Sequence, residues 1–408
     1  MPVWHNKTKD WVAAGKLVVL GITQEQHPDR CRLFAQWQNF DWPILWDPIN
    51  ILESTAVPII IAIDEHGIVR STHPRPETLE AEFLNVAFLP DAVGEAITNS
   101  NNAAQQPTRP DIAALQQQAQ QEKTAGAQLE FADAAILWGG TTEVTTAIDA
   151  YSNALIQAPD DGGALFRRGV AYRIRYDSER RQPDDFQKAV LSWEQALDKN
   201  PNQYIWRRRI QQYGPRLEKP YSFYDWVEQA RKEIVARGET PVTLIVDPQG
   251  AELARPALAF AVAPEEVKSP DPAGRIQRDT DGLIVPEIIL VPSRVRPGGS
   301  TRVHIALAPN SELRAHWNNE SEPLVLWVEC PDGWKVSQSR HVVAPLDGQP
   351  TSDETRRIDF EVQIPHDAKG SIQLQVFALY NVCEDKDGVC QYLRQDLLIP
   401  IQVNSEPQ

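Results

Sequence analysis

The sequence is poor in several features that would place it in a familiar class. It has only four cysteines in 408 residues, too few for a disulfide-built scaffold. It has no run of about 18 apolar residues and no basic-then-apolar leader, so neither a transmembrane helix nor an export signal is predicted. It also lacks a glycine-rich phosphate loop and a His-Glu-x-x-His motif. We therefore predict no cofactor and no metal site.

Positive charge is also scarce. Lysine and arginine together number 40 against 56 aspartates and glutamates, which gives a formal net charge of −16. An acidic surface repels the phosphates of nucleic acids and of anionic lipids, so partners of those kinds are not expected. An apolar content of 42% with 24% charged residues is typical of a soluble globular protein. A chain of this length is predicted to form two to four domains.

The first part of the chain, residues 1–97, has an α/β pattern. The apolar run at 17–22 is continuous rather than alternating, which predicts a strand buried on both faces. A second apolar run at 57–64 is followed by the turn Glu65-His66-Gly67, which indicates a hairpin. The predicted elements, in order, are a helix over 2–14, the strand over 17–22, a helix from His27, an extended segment at 42–46 and a hairpin of 57–64 with 68–70.

A polar, aperiodic segment, residues 98–110, is predicted to be a linker, and residues 111–236 are helical with an internal repeat. The repeated positions are Ala147, Tyr151, Ala154 and Pro159, matched by Ala189, Trp193, Ala196 and Pro201. The spacing between the two sets exceeds a 34-residue period by eight, which a longer loop at 177–184 would explain. This part resembles the tetratricopeptide repeat family, with a closing helix near 203–213. The resemblance implies that these helices bind a partner peptide or protein.

The last part, residues 240–404, changes to short segments of alternating character separated by turn clusters such as Pro297-Gly298-Gly299-Ser300. Many short strands with period two and regular turns predict an all-β sandwich. The predicted strands include 242–246, 301–307, 324–328, 358–362 and 372–376.

The first part resembles the thioredoxin-like redoxins of the TlpA/ResA type. The residues that carry the likeness are Met1-Pro2-Val3-Trp4, the strand at 18–22 and above all the segment 57–69. In that family, an apolar residue followed by proline forms the cis-proline loop. The resemblance implies a cis bond before Pro58. It also implies that the Val57 backbone pairs with an extended segment of the substrate protein.

The sequence departs from the redoxin pattern at the catalytic motif. The family places Cys-x-x-Cys at a helix start, where the thiol becomes a nucleophilic thiolate, a few residues before Met-Pro. Here Met1-Pro2 opens the sequence, so we expect the motif upstream of residue 1 and the chain as given to be inactive there. We expect the start codon to be assigned too far downstream, since Met1 is the only methionine. A true deletion that leaves a redoxin remnant is the alternative.

The cysteines fall into two groups. Cys31, in mid-helix, and Cys330, at a strand end, are predicted to be structural. Cys383 and Cys390 flank a polar Asp-Gly turn between two strands, so they are predicted to face each other within disulfide reach. Three states remain open for this pair: a structural disulfide, an exchange-active disulfide and reduced thiols. Acidic residues between the two cysteines would raise thiol pKa values.

The hairpin is similar to that of the N-terminal immunoglobulin-like domain of the DsbD thiol:disulfide interchange family, including a tyrosine, Tyr380, before the first cysteine. The turn is one residue longer than in that family. We therefore expect a multidomain thiol–disulfide oxidoreductase-related protein of a bacterial cell envelope or periplasm, with Cys383 and Cys390 as the exchanging pair. A non-enzymatic protein-binding scaffold is the alternative reading, and a peroxiredoxin-type peroxidase would need an upstream Thr-x-x-Cys.

Overall fold

The computed structural model describes residues 2–89, 109–215, 226–244, 268–346, 348–384 and 389–404. The chain combines helical segments with a C-terminal β-sheet region. It divides into two compact units, each assembled from separate stretches of sequence. The first contains Met1–Ala171, Lys199–Arg207 and Val227–Ile245, and the second contains Tyr172–Asp198, Arg208–Trp226 and Val246–Gln408. Most of the predicted linker, residues 98–108, lies outside the described residues.

The first 89 residues form two helices and two very small sheets. The helices are α1 (Pro2–Ala13) and α2 (Pro28–Gln38), and a π-helical turn follows at Glu80–Leu84. Strand β1 (Gly21–Thr23) pairs in parallel with β2 (Ile44–Trp46), and β3 (Ala62–Ile63) pairs antiparallel with β4 (Val69–Ser71). The hairpin predicted after residue 57 is confirmed.

The prediction of fully buried strands at 17–22 and 57–64 was wrong. Only three residues of the first run and two of the second are in strands as the structure describes them. Val18 is 79% exposed, and Ile59 and Ile61 are each about half exposed. Within the described residues β1 pairs only with β2, and β3 only with β4. The apolar runs therefore lack a neighbouring strand on one side, and nothing covers their side chains.

The middle of the chain is helical as predicted. The repeated small and aromatic residues fall on α5 and α7, where Tyr151 and Trp193 are fully buried together with the alanines around them. The stretch 177–184 lies between α6 and α7, and α8 is the predicted closing helix. The helices are α3 (Ile112–Glu122), α4 (Ala125–Trp138), α5 (Val144–Gln157), α6 (Gly162–Tyr176), α7 (Asp185–Lys199), α8 (Tyr204–Tyr213) and α9 (Trp226–Ala236).

Polar anchors complete the helical packing in the first unit. The Tyr151 hydroxyl donates to Asp133 Oδ1 at 2.7 Å, and Arg167 donates to Asp133 Oδ2 at 2.6 Å. Burial raises the pKa of Asp133, and the Arg167 charge opposes that rise. The buried carboxylate is thus held by two hydrogen bonds, which a polar group removed from water requires.

The C-terminal region forms two β-sheets. One has the strand order β10-β13-β7-β5, and the other has the order β11-β9-β14-β15-β6, with β8 joining β14 beyond the end of β9 and β12 joining β8. The strands are β5 (Ile284–Val291), β6 (Arg294–Val295), β7 (Ser300–Pro309), β8 (Ala315–Asn318), β9 (Leu324–Glu329), β10 (Lys335–Val336), β11 (Arg340–Val343), β12 (Thr351–Ser352), β13 (Arg356–Gln363), β14 (Gly370–Glu384) and β15 (Cys390–Val403).

Alternate residues of both sheets contribute to one hydrophobic core. Val303 and Ile305 of β7 belong to the same buried cluster as Leu374 and Val376 of β14. The period-two alternation read from the sequence is therefore confirmed for these strands. The predicted strand at 242–246 is not: residues 241–244 are irregular and 245–246 lie outside the described residues. The Val242 N–H is donated to the side-chain oxygen of Gln36 instead of to a strand.

Helices of the second unit cover the outer face of the four-stranded sheet. Phe186 of α7 lies 6.0 Å from the ring of His304, and the His304 Nε2 is 2.8 Å from the carbonyl oxygen of Tyr213. Glu194 of α7 accepts from the backbone N–H of Ser293 at 2.7 Å. The unit is thus built as helices, a sheet and a second sheet in succession. None of the described helices combines the length and apolar character that crossing a bilayer requires.

Candidate thiol–disulfide site

The candidate site lies at the end of the long β14–β15 hairpin. These strands pair through fourteen consecutive residue pairs, from Gly370 opposite Val403 to Cys383 opposite Cys390. The two cysteines are joined by a disulfide with a Cα–Cα distance of 4.0 Å, so the predicted pairing is confirmed. The turn residues 385–388, which include two of the predicted acidic groups, lie outside the described residues.

The two cysteines differ in their access to solvent. Cys383 is 3% exposed because it lies inside the sheet, with β15 on one side and β8 on the other. Cys390 is the first residue of β15 and is exposed. A thiolate attacks a disulfide at the sulfur that it can reach. The arrangement therefore favours attack at Cys390, with Cys383 as the leaving thiolate.

A histidine and an aspartate continue the line of the cysteines across the sheet. His316 of β8 is the residue directly opposite Cys383. Because Ser352 of β12 is opposite Trp317 of β8, the following residue, Asp353, lies beside His316. The Asp353 Oδ1 is within hydrogen-bonding distance of His316 Nδ1.

We call these four residues the cysteine row: Asp353, His316, Cys383 and Cys390. Directly opposite residues of antiparallel strands project from the same face of the sheet. The adjacent residues Trp317 and Val382 are in the core. The cysteine row therefore lies on the outer face of the sheet, away from the core.

Tyr380 lies on the opposite face from the disulfide. It belongs to the hydrophobic core, and its hydroxyl donates to Asp279 Oδ2 at 2.8 Å. Burial raises its pKa well above the ordinary value, and Asp279 adds to the rise. The tyrosine that supported the likeness to the DsbD family therefore has a packing role in this chain.

The acidic side chain described nearest the disulfide in sequence is Glu384. Its Oε1 accepts from the Gln391 Nε2 at 3.2 Å, so the two residues bridge the end of the hairpin beside the cysteines. A carboxylate near a thiol disfavours the thiolate form. A stable thiolate at Cys383 therefore needs a compensating positive group, and His316 is the residue of the cysteine row that can become one.

The two other cysteines are not activated thiols. Burial raises the pKa of Cys31, and a hydrogen bond with the Thr23 side chain only partly offsets this effect. Partial burial also raises the pKa of Cys330, whose Sγ lies 3.1 Å from the carbonyl oxygen of Trp334. Reactive cysteines have lowered pKa values, so both residues fit the structural role expected for them.

The predicted substrate-binding residues lie in the first unit, whereas the disulfide lies in the second. The Val57–Pro58 peptide bond is cis, as the redoxin likeness implied, and Val57 is half exposed. Their proposed role in substrate binding stays a prediction. Within the described residues, no group of three or more His, Cys, Asp and Glu side chains comes together in a way that could hold a metal ion.

His316 and Asp353 have no sequence signal of their own. Each is one polar residue in a short strand or just beyond it, and many such residues occur in this region. Only the strand register shows that they are aligned with the cysteines. The alternation of β8 would have placed His316 on the outer face, but not beside Cys383.

No protein-family model and no curated protein matches this sequence. Two solved structures have a local likeness to it. One, described as AvmM, which catalyses macrocyclization in alchivemycin A biosynthesis, is 13% identical with a TM-score of 0.19, over 33% of this chain and 97% of that one. The other, the sporulation control protein Spo0M from Bacillus subtilis, is 12% identical with a TM-score of 0.17, over 31% of this chain and 51% of that one. Similarity this low carries no argument about fold or function.

Proposed function

We propose that this protein exchanges disulfides with thiol proteins in an oxidising compartment such as a bacterial cell envelope, and that Cys383 and Cys390 are its working pair. The observation that carries the proposal is the position of the disulfide at the open end of a hairpin, with one cysteine exposed and the other buried. An exchange site needs both features. One sulfur has to be reached by the partner, and the other has to resolve the mixed disulfide.

The hairpin also has little need of a covalent link. Thirteen further residue pairs hold β14 against β15, and β14 is also paired with β8 and β9. A structural disulfide stabilises most where the chain lacks other constraints, as in small domains with little core. This hairpin belongs to a large two-sheet core instead. The pair can therefore open and close without loss of the fold around it.

The exchange balances as follows. A partner thiolate attacks the Sγ of Cys390, a partner–Cys390 disulfide forms, and the Cys383–Cys390 bond breaks with its electron pair passing to Cys383. The second thiol of a dithiol partner then attacks the partner's own sulfur in the mixed disulfide and releases Cys390 as a thiolate. The partner leaves oxidised to a disulfide, and this pair has gained two electrons and takes up two protons.

The finer assignments extend the same proposal. The first part would be a redoxin of the TlpA/ResA type whose Cys-x-x-Cys is encoded upstream, the repeated helices would be tetratricopeptide-like and hold a partner peptide, and the C-terminal part would be an immunoglobulin-like domain similar to that of the DsbD family. The cis bond at Pro58, the buried repeat residues and the two sheets with one core support these assignments.

The test is the reduction potential of the pair. A Cys31→Ala/Cys330→Ser variant leaves only Cys383 and Cys390. It is equilibrated with glutathione buffers, quenched and labelled with a maleimide that shifts its mobility on a gel. We expect a potential above about −300 mV, the region of labile and catalytic disulfides. A potential below that value would mean a structural disulfide, and the non-enzymatic scaffold would then be the better description of the protein.

A further inference from the structure

We propose that His316, oriented by Asp353, stabilises the Cys383 thiolate and exchanges a proton with it during disulfide exchange. This inference rests on the proposed function, because it assigns an acid–base partner to the same cysteine pair. It concerns residues that no feature of the sequence singles out. The carrying observation is the cysteine row, in which an Asp–His pair continues directly into a Cys–Cys pair across four neighbouring strand positions.

The placement of the histidine suits this role. Directly opposite residues of antiparallel strands have Cβ atoms about 4.5–5.5 Å apart, so the imidazole can reach the sulfur of Cys383. Asp353 and Cys383 lie on opposite flanks of β8. Asp353 engages Nδ1, so Nε2 is the ring nitrogen that remains for the thiol. His316 is half-buried, whereas Asp353 is exposed.

The chemistry follows from these positions. When a partner thiolate attacks Cys390, the electron pair of the broken bond passes to the Cys383 sulfur. A protonated His316 stabilises the new thiolate or gives it a proton, and the Asp353 carboxylate stabilises the imidazolium. In the reverse direction neutral His316 takes the proton of the Cys383 thiol. The resulting thiolate attacks the Cys390 sulfur of the mixed disulfide and expels the partner's thiolate.

The surrounding charges make a cationic partner necessary. Glu384 adjoins Cys383 on β14 and is bonded to Gln391 of β15. Glu322 lies near the same end of the hairpin, where its backbone carbonyl accepts from Asn381 and its charge raises the pKa of Tyr392 after burial of that ring. These groups disfavour a thiolate. On β8 and beyond β12 the facing groups are His316 and Asp353, so the imidazolium is the charge that offsets them.

The role can be separated from a structural one. A surface histidine–carboxylate pair contributes little to stability, so His316→Gln is expected to fold with an unchanged thermal midpoint. Histidine changes charge near neutral pH, which glutamine cannot do. Loss of His316 should therefore appear in the rate of exchange and in its pH profile rather than in the fold.

The experiment uses the full chain with Cys31→Ala and Cys330→Ser, and dithiothreitol as the dithiol probe. The rate of reduction of the Cys383–Cys390 disulfide is followed from pH 5.5 to 8.5 by maleimide labelling. We expect His316→Gln to slow the reaction about tenfold at neutral pH, and Asp353→Asn to slow it less. If the reduction equilibrium also falls tenfold, the potential becomes about 30 mV more negative.

The matched control is His341→Gln. His341 lies on β11 of the same sheet, where it contacts the carbonyl of Gln338, and it is not in the cysteine row. Its rate and pH profile should match those of the parent chain. If His316→Gln behaves like His341→Gln while the parent chain has the potential expected of an exchange disulfide, this inference is wrong and the proposed function stands. If the parent chain has the potential of a structural disulfide, the proposed function fails first.

Discussion

Reduction of the Cys383–Cys390 disulfide should weaken the two-sheet region by a small, calculable amount. The cysteines are seven positions apart, so the bond closes a loop of about eight residues in the unfolded chain. The chain-entropy relation gives about 2.5 kcal/mol for a loop of that length. The folded hairpin keeps its other thirteen residue pairs and its share of the core when the bond is open. The reduced protein should therefore stay folded.

The assay is amide hydrogen exchange of β14 and β15 in increasing urea, on the oxidised and the reduced forms of one chain. Exchange at these strands isolates the hairpin from the rest of a two-unit protein, for which a single unfolding transition is not expected. We expect the opening free energy of the amides between Leu374 and Tyr380 to fall by about 2.5 kcal/mol. Complete loss of their protection without urea would refute the reasoning, because the bond would then be essential to the fold. Cys330→Ser serves as a control that removes a thiol without touching the pair.

Three further predictions concern buried groups of the second unit. Burial, reinforced by Arg302, lowers the pKa of His304 to about 4, so the unfolded chain binds a proton near its ordinary value of 6.5 and the folded chain only near 4. Stability should fall by about 3 kcal/mol as the pH decreases through that window, and His304→Gln should flatten the urea midpoint against pH. Arg175→Met leaves the fully buried Asp185 carboxylate without its bidentate partner, which should cost about 3–5 kcal/mol in urea unfolding, whereas replacing both residues by Met and Leu should restore most of it. Trp193→Ala should cost about 3–5 kcal/mol by thermal unfolding and Trp193→Phe much less, because the indole N–H has no acceptor among the described residues.

Local periodicity predicted the elements that do not depend on a distant neighbour. The spacing of Ala147, Tyr151 and Ala154 follows one face of a helix, and the structure buries all three on α5. The alternation in 301–307 places Val303 and Ile305 on one face of a strand, and both are in the core. In each case a single segment carries the whole signal, so its secondary structure and buried face can be inferred without the partner.

The failures occurred where burial depends on the partner. The apolar runs at 17–22 and 57–64 have the composition of central strands, but a central strand requires a neighbour on each side. Each run has one neighbour or none among the described residues, so the strands are short and Val18 is exposed. The same limit hid His316 and Asp353. Their alignment depends on the pairing of β8 with both β12 and β14, which no local pattern encodes.

The four cysteines are distributed in a way that concentrates thiol chemistry on the hairpin. Burial raises the pKa values of Cys31 and Cys330, so at neutral pH both remain protonated and slow to react. They would not compete with a partner for the Cys383–Cys390 disulfide or scramble it. The pair itself combines an exposed sulfur with a buried one beside an Asp-bound histidine. In the described part of the chain, exchange with a dithiol partner can therefore begin at Cys390 and be resolved through Cys383 without involving the first unit.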